Sequence, residues 1–395
     1  MSDATPPPGF GERFENVLIS PLRVYKMLGK RSPGEVTYEE SEQSNARREL
    51  LRVEKQAIKS RFALAQSEAS YLDTLRSELH YSLFHEIKQQ IADSGHVFRH
   101  VLTLNDDVTA LIDILATRAA SVSKLEPHAA ALPWLYEELL QVVNSASFRR
   151  RDSRGRVIVV ESLKTALSFL GIENLQMLLP AMIFKRTLPQ ITDPYPQIKA
   201  KLAQYATGSA VTAMALARFS NVKPYPAFVL GMLSHLGRSA LIRLYFKYFD
   251  LVQREMLQEA QKNKARERHD ALLKLSPSPN YLIALQEEYA NNLAAELFEH
   301  MVFRRVPLAE PMREYARNDV SARGTSADIL RQATCYTQVR MLHQHRFIDK
   351  DEAKKQLKMA RLPVGATDCL RGMNIFELPL IHEQDEENRK PGVYC

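Results

Sequence analysis

His235, His343 and His345 are the side chains in this sequence best suited to metal or proton chemistry, and their surroundings argue against it. A hydrolytic metal site needs several neutral imidazoles and at least one carboxylate, so that the bound ion can acidify a water molecule. His343-Gln344-His345 has no carboxylate or cysteine beside it at ligand spacing. His235 stands between Ser234 and Leu236 in an apolar stretch, where a lone imidazole reads as a hydrogen-bonded core residue. Cys335, Cys369 and Cys395 are few, odd in number and far apart, so no disulfide framework and a reducing compartment are expected. No phosphate-binding glycine loop, dinucleotide fingerprint or nucleophile elbow is present.

The densest charge is an arginine loop. Arg149, Arg150, Arg151, Arg154 and Arg156 share a short segment whose single acid is Asp152. Guanidinium forks suit phosphates and carboxylates. Three readings follow: a solvated loop or one that pairs with acidic helices of its own chain, a contact for an acidic protein surface, or a site for a nucleotide or nucleic acid. Stacking platforms for single strands need aromatic residues among the cations, and Phe148 is the one nearby. The net charge of +7 permits an anionic partner without requiring one.

The elements that position these residues read as helices. Glycine is scarce, with 14 in 395 residues, about half the usual frequency of ~7%. From Glu35 to Ser94 there is neither Gly nor Pro. Within it, Leu51, Ile58, Phe62, Ala65, Ala69, Leu72, Leu75, Leu79, Leu83, Ile87 and Ile91 recur mostly every three or four residues. This period predicts a long amphipathic helix over about 39–92. Its stripe either packs on the protein's own core or forms a dimer or partner contact. Shorter helical patterns follow at 134–143, 161–170 (stopped by Gly171), 175–184, 198–218, 226–249, a charged stretch near 250–275, 282–302, 307–317, 327–343 and 349–359. The strand-like run Val157-Ile158-Val159-Val160 is too isolated to make a sheet. The N-terminus is polar and proline-rich without a secretory core, and no window holds 18 uninterrupted apolar residues. These features lead to an expectation of a cytoplasmic, all-α chain with no membrane span.

The middle of the chain resembles a known family in four ordered segments. Residues 138–148 contain Leu139-Leu140 followed by Asn144-Ser145-Ala146-Ser147-Phe148, and 160–171 contain Glu161-Ser162-Leu163 followed by Leu170-Gly171. Gly208-Ser209 comes next, then the run from Ala227-Phe228 through Gly231, Ser234-His235 and Gly237-Arg238. Order and spacing are similar to the HDOD family, the HD-related output domains of bacterial signalling proteins. The resemblance implies a multi-helix bundle, a degenerate HD domain at 101–320, with extra helices at 1–100 and 321–395.

In true HD hydrolases a histidine, a His-Asp pair and later histidines or aspartates hold the metal. By this resemblance those positions fall on Gly208, on Ser234-His235, near 289–295 and near Arg317-Asn318. Glycine offers no donor atom and serine is a poor ligand. The expectation is therefore no enzyme activity, no metal and no cofactor. The chain is expected to act in signal transduction through protein partners, with a homodimer as one option. The alternative is an anionic ligand, a signalling nucleotide or nucleic acid, held by the 149–156 loop.

Overall fold

The structure is a computed structural model that describes residues 8–30, 52–150, 154–319 and 322–381, with side chains omitted over 52–67. Of the described residues 71% are helical, and none lies in a strand. The all-α expectation holds.

The chain opens with α1 (Phe10–Ile19) and α2 (Pro21–Met27), then the long α3 (Arg52–Ile91). A short turn, α4 (Ser94–His96), runs into a π-helical turn at Val97–Val101. Next come α5 (Asp106–Leu115), α6 (Val122–Ala130), α7 (Pro133–Val143) and α8 (Leu163–Thr187). The central layer is α9 (Gln197–Ala217), α10 (Pro224–Leu233), α11 (Leu236–Lys262), α12 (Arg266–Leu273) and α13 (Pro279–Met301). The chain closes with α14 (Ala309–Ala316), α15 (Ser326–Gln344), α16 (Lys350–Ala360) and α17 (Ala366–Arg371).

One apolar core runs from Ile19 through α3 and the central helices to Ile375. A smaller cluster joins Phe14, Val17 and Leu18 of α1 to Val339 and Leu342 of α15 and to Phe347. Helix α1 therefore packs on α15 and the segment that follows it. Arg13 reinforces this junction, donating to the Phe347 carbonyl at 2.8 Å and pairing with Glu352.

The described part of the long stripe faces inward. Leu75, Leu79, Leu83 and Ile87 are fully buried. His80 shares that face, with Nδ1 2.7 Å from the Arg76 carbonyl and Nε2 2.9 Å from the Tyr245 hydroxyl. The carbonyl places the proton of the neutral ring on Nδ1, and Nε2 then shares the single Tyr245 hydroxyl proton with the Ser278 carbonyl, 2.8 Å from the same oxygen. Tyr245 Oη in turn accepts from the Ser278 amide at 2.8 Å, which ties α3 to α11 and to the start of α13. Among the described side chains Ala69 and Tyr71 are exposed and Leu72 is half-buried. Leu51, Ile58, Phe62 and Ala65 lie outside the described side chains.

Two local expectations need correction. The pattern over 226–249 suggests one helix, but the backbone turns at Ser234-His235 and divides α10 from α11. Hydrophobicity continues across the turn because both helices are buried, so the period conceals the break. The expectation of no disulfide framework, with a reducing compartment, meets one bridged cysteine: Cys335 is free, whereas Cys369 is disulfide-bonded. Gly171 does interrupt the 161–184 pattern, at φ 73°. By length and composition α8 could cross a membrane, but 61% of its apolar window is buried in the fold, as in a core helix.

Glycine sets how closely the central helices approach. A Cβ on Gly231 would stand 2.7 Å from Ala210 Cα and from the Ser209 carbonyl oxygen on α9. A Cβ on Gly237 would collide with the Ala290 carbonyl and stand 2.8 Å from the Ala294 amide nitrogen on α13. Backbone cannot rotate away, so overpacking here separates whole helices. Gly237→Ala is expected to destabilise the chain by about 1–3 kcal/mol or more in urea denaturation. Gly11→Ala, which lies on the exposed face of α1 and meets nothing within 4 Å, should not lower the midpoint.

Candidate functional site

The turn between α10 and α11 places His235 at the start of α11, against α9. The imidazole is 4% exposed. Its Nε2 shares a 3.1 Å hydrogen bond with Ser209 Oγ, and the Tyr205 ring lies 4.2 Å from it, centroid to centroid. Burial, and then the nearby Arg238 charge, push its pKa down to about 3. His235 is thus a neutral, hydrogen-bonded core residue at ordinary pH. Ser234 turns back on its own helix and donates to the Gly231 carbonyl at 3.0 Å.

One turn further along α11, Arg238 enters the same interior. Its Nη1 and Nη2 donate to the two carboxylate oxygens of Glu15 at 2.7 and 2.6 Å, a bidentate fork. Nη1 also donates to Gln286 Oε1 on α13 at 2.7 Å. The side chains of Arg238 and Glu15 are only 13% and 10% exposed. Burial opposes the guanidinium charge, but Glu15's attraction and hydrogen bonds outweigh it and hold the Arg238 pKa above its ordinary value. Beside Glu15 on α1, Phe14 packs edge-on against Tyr205 with centroids 4.8 Å apart. Helix α1 therefore covers this interior with both an ion pair and an aromatic contact.

The other positions assigned by resemblance are filled by packing. A Cβ on Gly208 would meet Thr337 Cγ2 of α15 at 2.5 Å and Phe376 Cε1 at 3.1 Å. Residues 289–295 lie on α13, where Ala290 and Ala294 receive Gly237. Arg317 and Asn318 are exposed beyond the end of α14. The structure thus brings Gly208, Ser234 and His235 to one buried layer, through α9, α10 and α11. No group of three His, Cys, Asp or Glu side chains suited to a metal ion occurs among the described residues. The donor set does not fit a divalent cation: one imidazole is present, and the buried charge beside it is a guanidinium that would repel the ion.

His345 and His343 diverge at the end of α15. His345 Nε2 lies 3.0 Å from Lys201 Nζ, and burial, then Lys201, lowers its pKa. His343 is exposed.

The arginine loop lies elsewhere, against α8. Arg150 stacks over Phe169 at 4.4 Å and donates to its carbonyl at 3.2 Å. Arg149, Arg154 and Arg156 are exposed, and Arg151 lies outside the described residues. Asn144 anchors the returning strand-like run: Nδ2 donates to the Val160 carbonyl and Oδ1 accepts the Val160 amide, both at 2.8 Å.

Glu15 and Arg238 were not singled out in the sequence. The signal for Arg238 is a cation one turn into an otherwise apolar helix start. Glu15 carries no comparable signal, because its partner is 223 residues away.

Removing one partner of a buried ion pair strands the other, a loss of about 3–5 kcal/mol. Glu15→Gln is expected to show a loss of this order in chemical denaturation, and the double variant Glu15→Leu with Arg238→Met much less than the sum. Additive losses would mean the pair is not coupled. His235 makes a separate prediction. Its folded pKa lies below the unfolded value, so its contribution is complete above about pH 6.5 and is lost as pH falls towards about 3. Stability should fall by up to about 1.4 kcal/mol per pH unit in this window. His235→Gln should reduce this slope in a pH series of urea midpoints, leaving the part that the buried His80 contributes with the same sign.

Residues 101–275 match the HDOD domain family model. No curated protein matches the chain. Among solved structures, it is similar to a protein from Shewanella amazonensis SB2B that carries the description of a metal-dependent phosphohydrolase. The two share 15% identity at a TM-score of 0.42, over 76% of this chain and 95% of that one. The matched residues include Gly208 and the Ser234-His235 turn, the positions to which the sequence resemblance led. The similarity to the HDOD family is thus shown for residues 101–275, the stretch that holds the four segments of the sequence resemblance.

Proposed function

We propose that this protein is a non-catalytic signalling module that works through contacts with other proteins. The observation that carries the reading is the Glu15–Arg238 pair: a guanidinium and its carboxylate stand beside His235, where an HD enzyme would keep metal and substrate. A fixed cation inside the layer disfavours a divalent ion, and Glu15 of α1 is already committed to neutralising it. Thr337 and Phe376 take the space over Gly208. A domain with this interior has its surface left for function, and similarity to the HDOD family supports a role in signalling.

The test joins metal content with activity on the full chain. Plasma mass spectrometry is expected to find sub-stoichiometric transition metal. With about 1 mM Mn2+ or Zn2+ the thermal midpoint should not rise, since a ligand that binds only the folded state must stabilise it. Hydrolysis of bis(p-nitrophenyl) phosphate should remain at the level of buffer. Stoichiometric metal with turnover would overturn the proposal. Light scattering on the same sample reports whether one of the partners is a second copy of the chain.

A further inference from the structure

A cleft of about 700 Å³ opens between the π-helical turn, the 189–191 loop and α11, on a surface separate from the His235 layer. Five basic side chains line it: His96, His100, Arg243, Lys247 and Arg254. Asp250 is the one acid in its lining. Arg243 lies at the base, where Nη1 donates to the Val101 carbonyl at 2.6 Å and holds the π-helical turn against α11. Burial, and then repulsion from Arg186, lower the Arg243 pKa. Among the described residues no carboxylate lies within ion-pair distance of Arg243, Lys247 or Arg254. A partly buried positive charge without a counter-ion is unfavourable, and an anion entering the cleft relieves it.

The backbone beside these cations is also unusual. Val97–Val101 is a π-helical turn, a rare departure found mostly at functional positions. It sets the His96 and His100 rings side by side, centroids 4.9 Å apart, at the mouth of the cleft. Two apolar side chains also line it, with Ile191 69% and Leu251 38% exposed. Sites for small organic ligands span about 300–1,000 Å³ and join an apolar wall to a few polar groups.

We infer that this cleft binds a small organic phosphate of mononucleotide size, its phosphates on Lys247, Arg254 and Arg243 and its apolar part against Ile191 and Leu251. The bounded volume favours such a ligand over a nucleic-acid strand, which needs an extended track of cations and stacking rings. This site is independent of the proposed signalling role, since metal content and hydrolysis at the His235 layer do not involve it.

Isothermal titration of the full chain with ATP, and separately with pyrophosphate, tests the inference. Saturable one-site binding of ATP is expected, weakening as salt rises. The double variant Lys247→Gln with Arg254→Gln should lower affinity for both probes by about tenfold or more. Both side chains are exposed, so its thermal midpoint should match the wild type. Ile191→Ser should weaken ATP and spare pyrophosphate. No saturable binding of either probe up to about 1 mM, or unchanged binding in the double variant, would overturn the inference. So would tighter binding of a single-stranded oligonucleotide than of ATP.

Discussion

A guanidinium buried in a helical core imposes a demand that the rest of the molecule has to meet. Arg238 lies among α9, α11 and α13, and its charge is tolerated only with an anion and hydrogen-bond acceptors in place. Gln286 supplies an acceptor from α13, and Glu15 supplies the charge from the first helix of the chain. This explains why α1 packs over the HDOD body. Phe14 and Val17 give α1 an apolar face, but apolar contact alone does not select where a helix docks. The fork from Arg238 to Glu15 does, because any other register leaves two charges unpaired away from water.

The same demand bears on chemistry. A divalent cation and a guanidinium compete for the same kind of partner, and here the carboxylate is taken by the guanidinium. Around them the helices are drawn together by Gly231 and Gly237, at contacts where a side chain would strike backbone. Gly208 makes a third close contact, with Thr337 and Phe376 of the C-terminal part of the chain. The layer that would hold a reaction is thus a packing junction, joined from one side by α1 and from the other by α15 and Phe376.

Charge that is costly inside is collected outside in separate places. Arg150 is spent on Phe169, which fastens the 149–156 loop to α8. Arg243, Lys247 and Arg254 gather around a cleft with one acid. On the opposite side of the sequence, α3 is held by a neutral contact: His80 against Tyr245, with burial pushing the imidazole pKa down to about 4. The protein therefore uses an ion pair to seat α1 and an uncharged hydrogen-bond chain to seat α3.

Much of this was legible in the sequence, and the limits have physical causes. The all-α class follows from the apolar period and the scarcity of glycine. The stripe from Leu75 to Ile87 points to a buried helix face, and Gly171 marks a break that its positive φ requires. The order of the Asn144, Gly208, Ser234-His235 and Gly237 segments carried the resemblance to the HDOD family, since those residues serve contacts within or between neighbouring helices. The turn at Ser234-His235 was hidden because a helix buried all round has no polar face to register a change of direction. The partnership of Glu15 with Arg238, the stacking of Arg150 on Phe169 and the gathering of His96 with Lys247 and Arg254 were decided by tertiary structure alone. Period and propensity act over a few residues, whereas an ion pair or a cleft depends on which distant helices are brought within a few ångströms of one another.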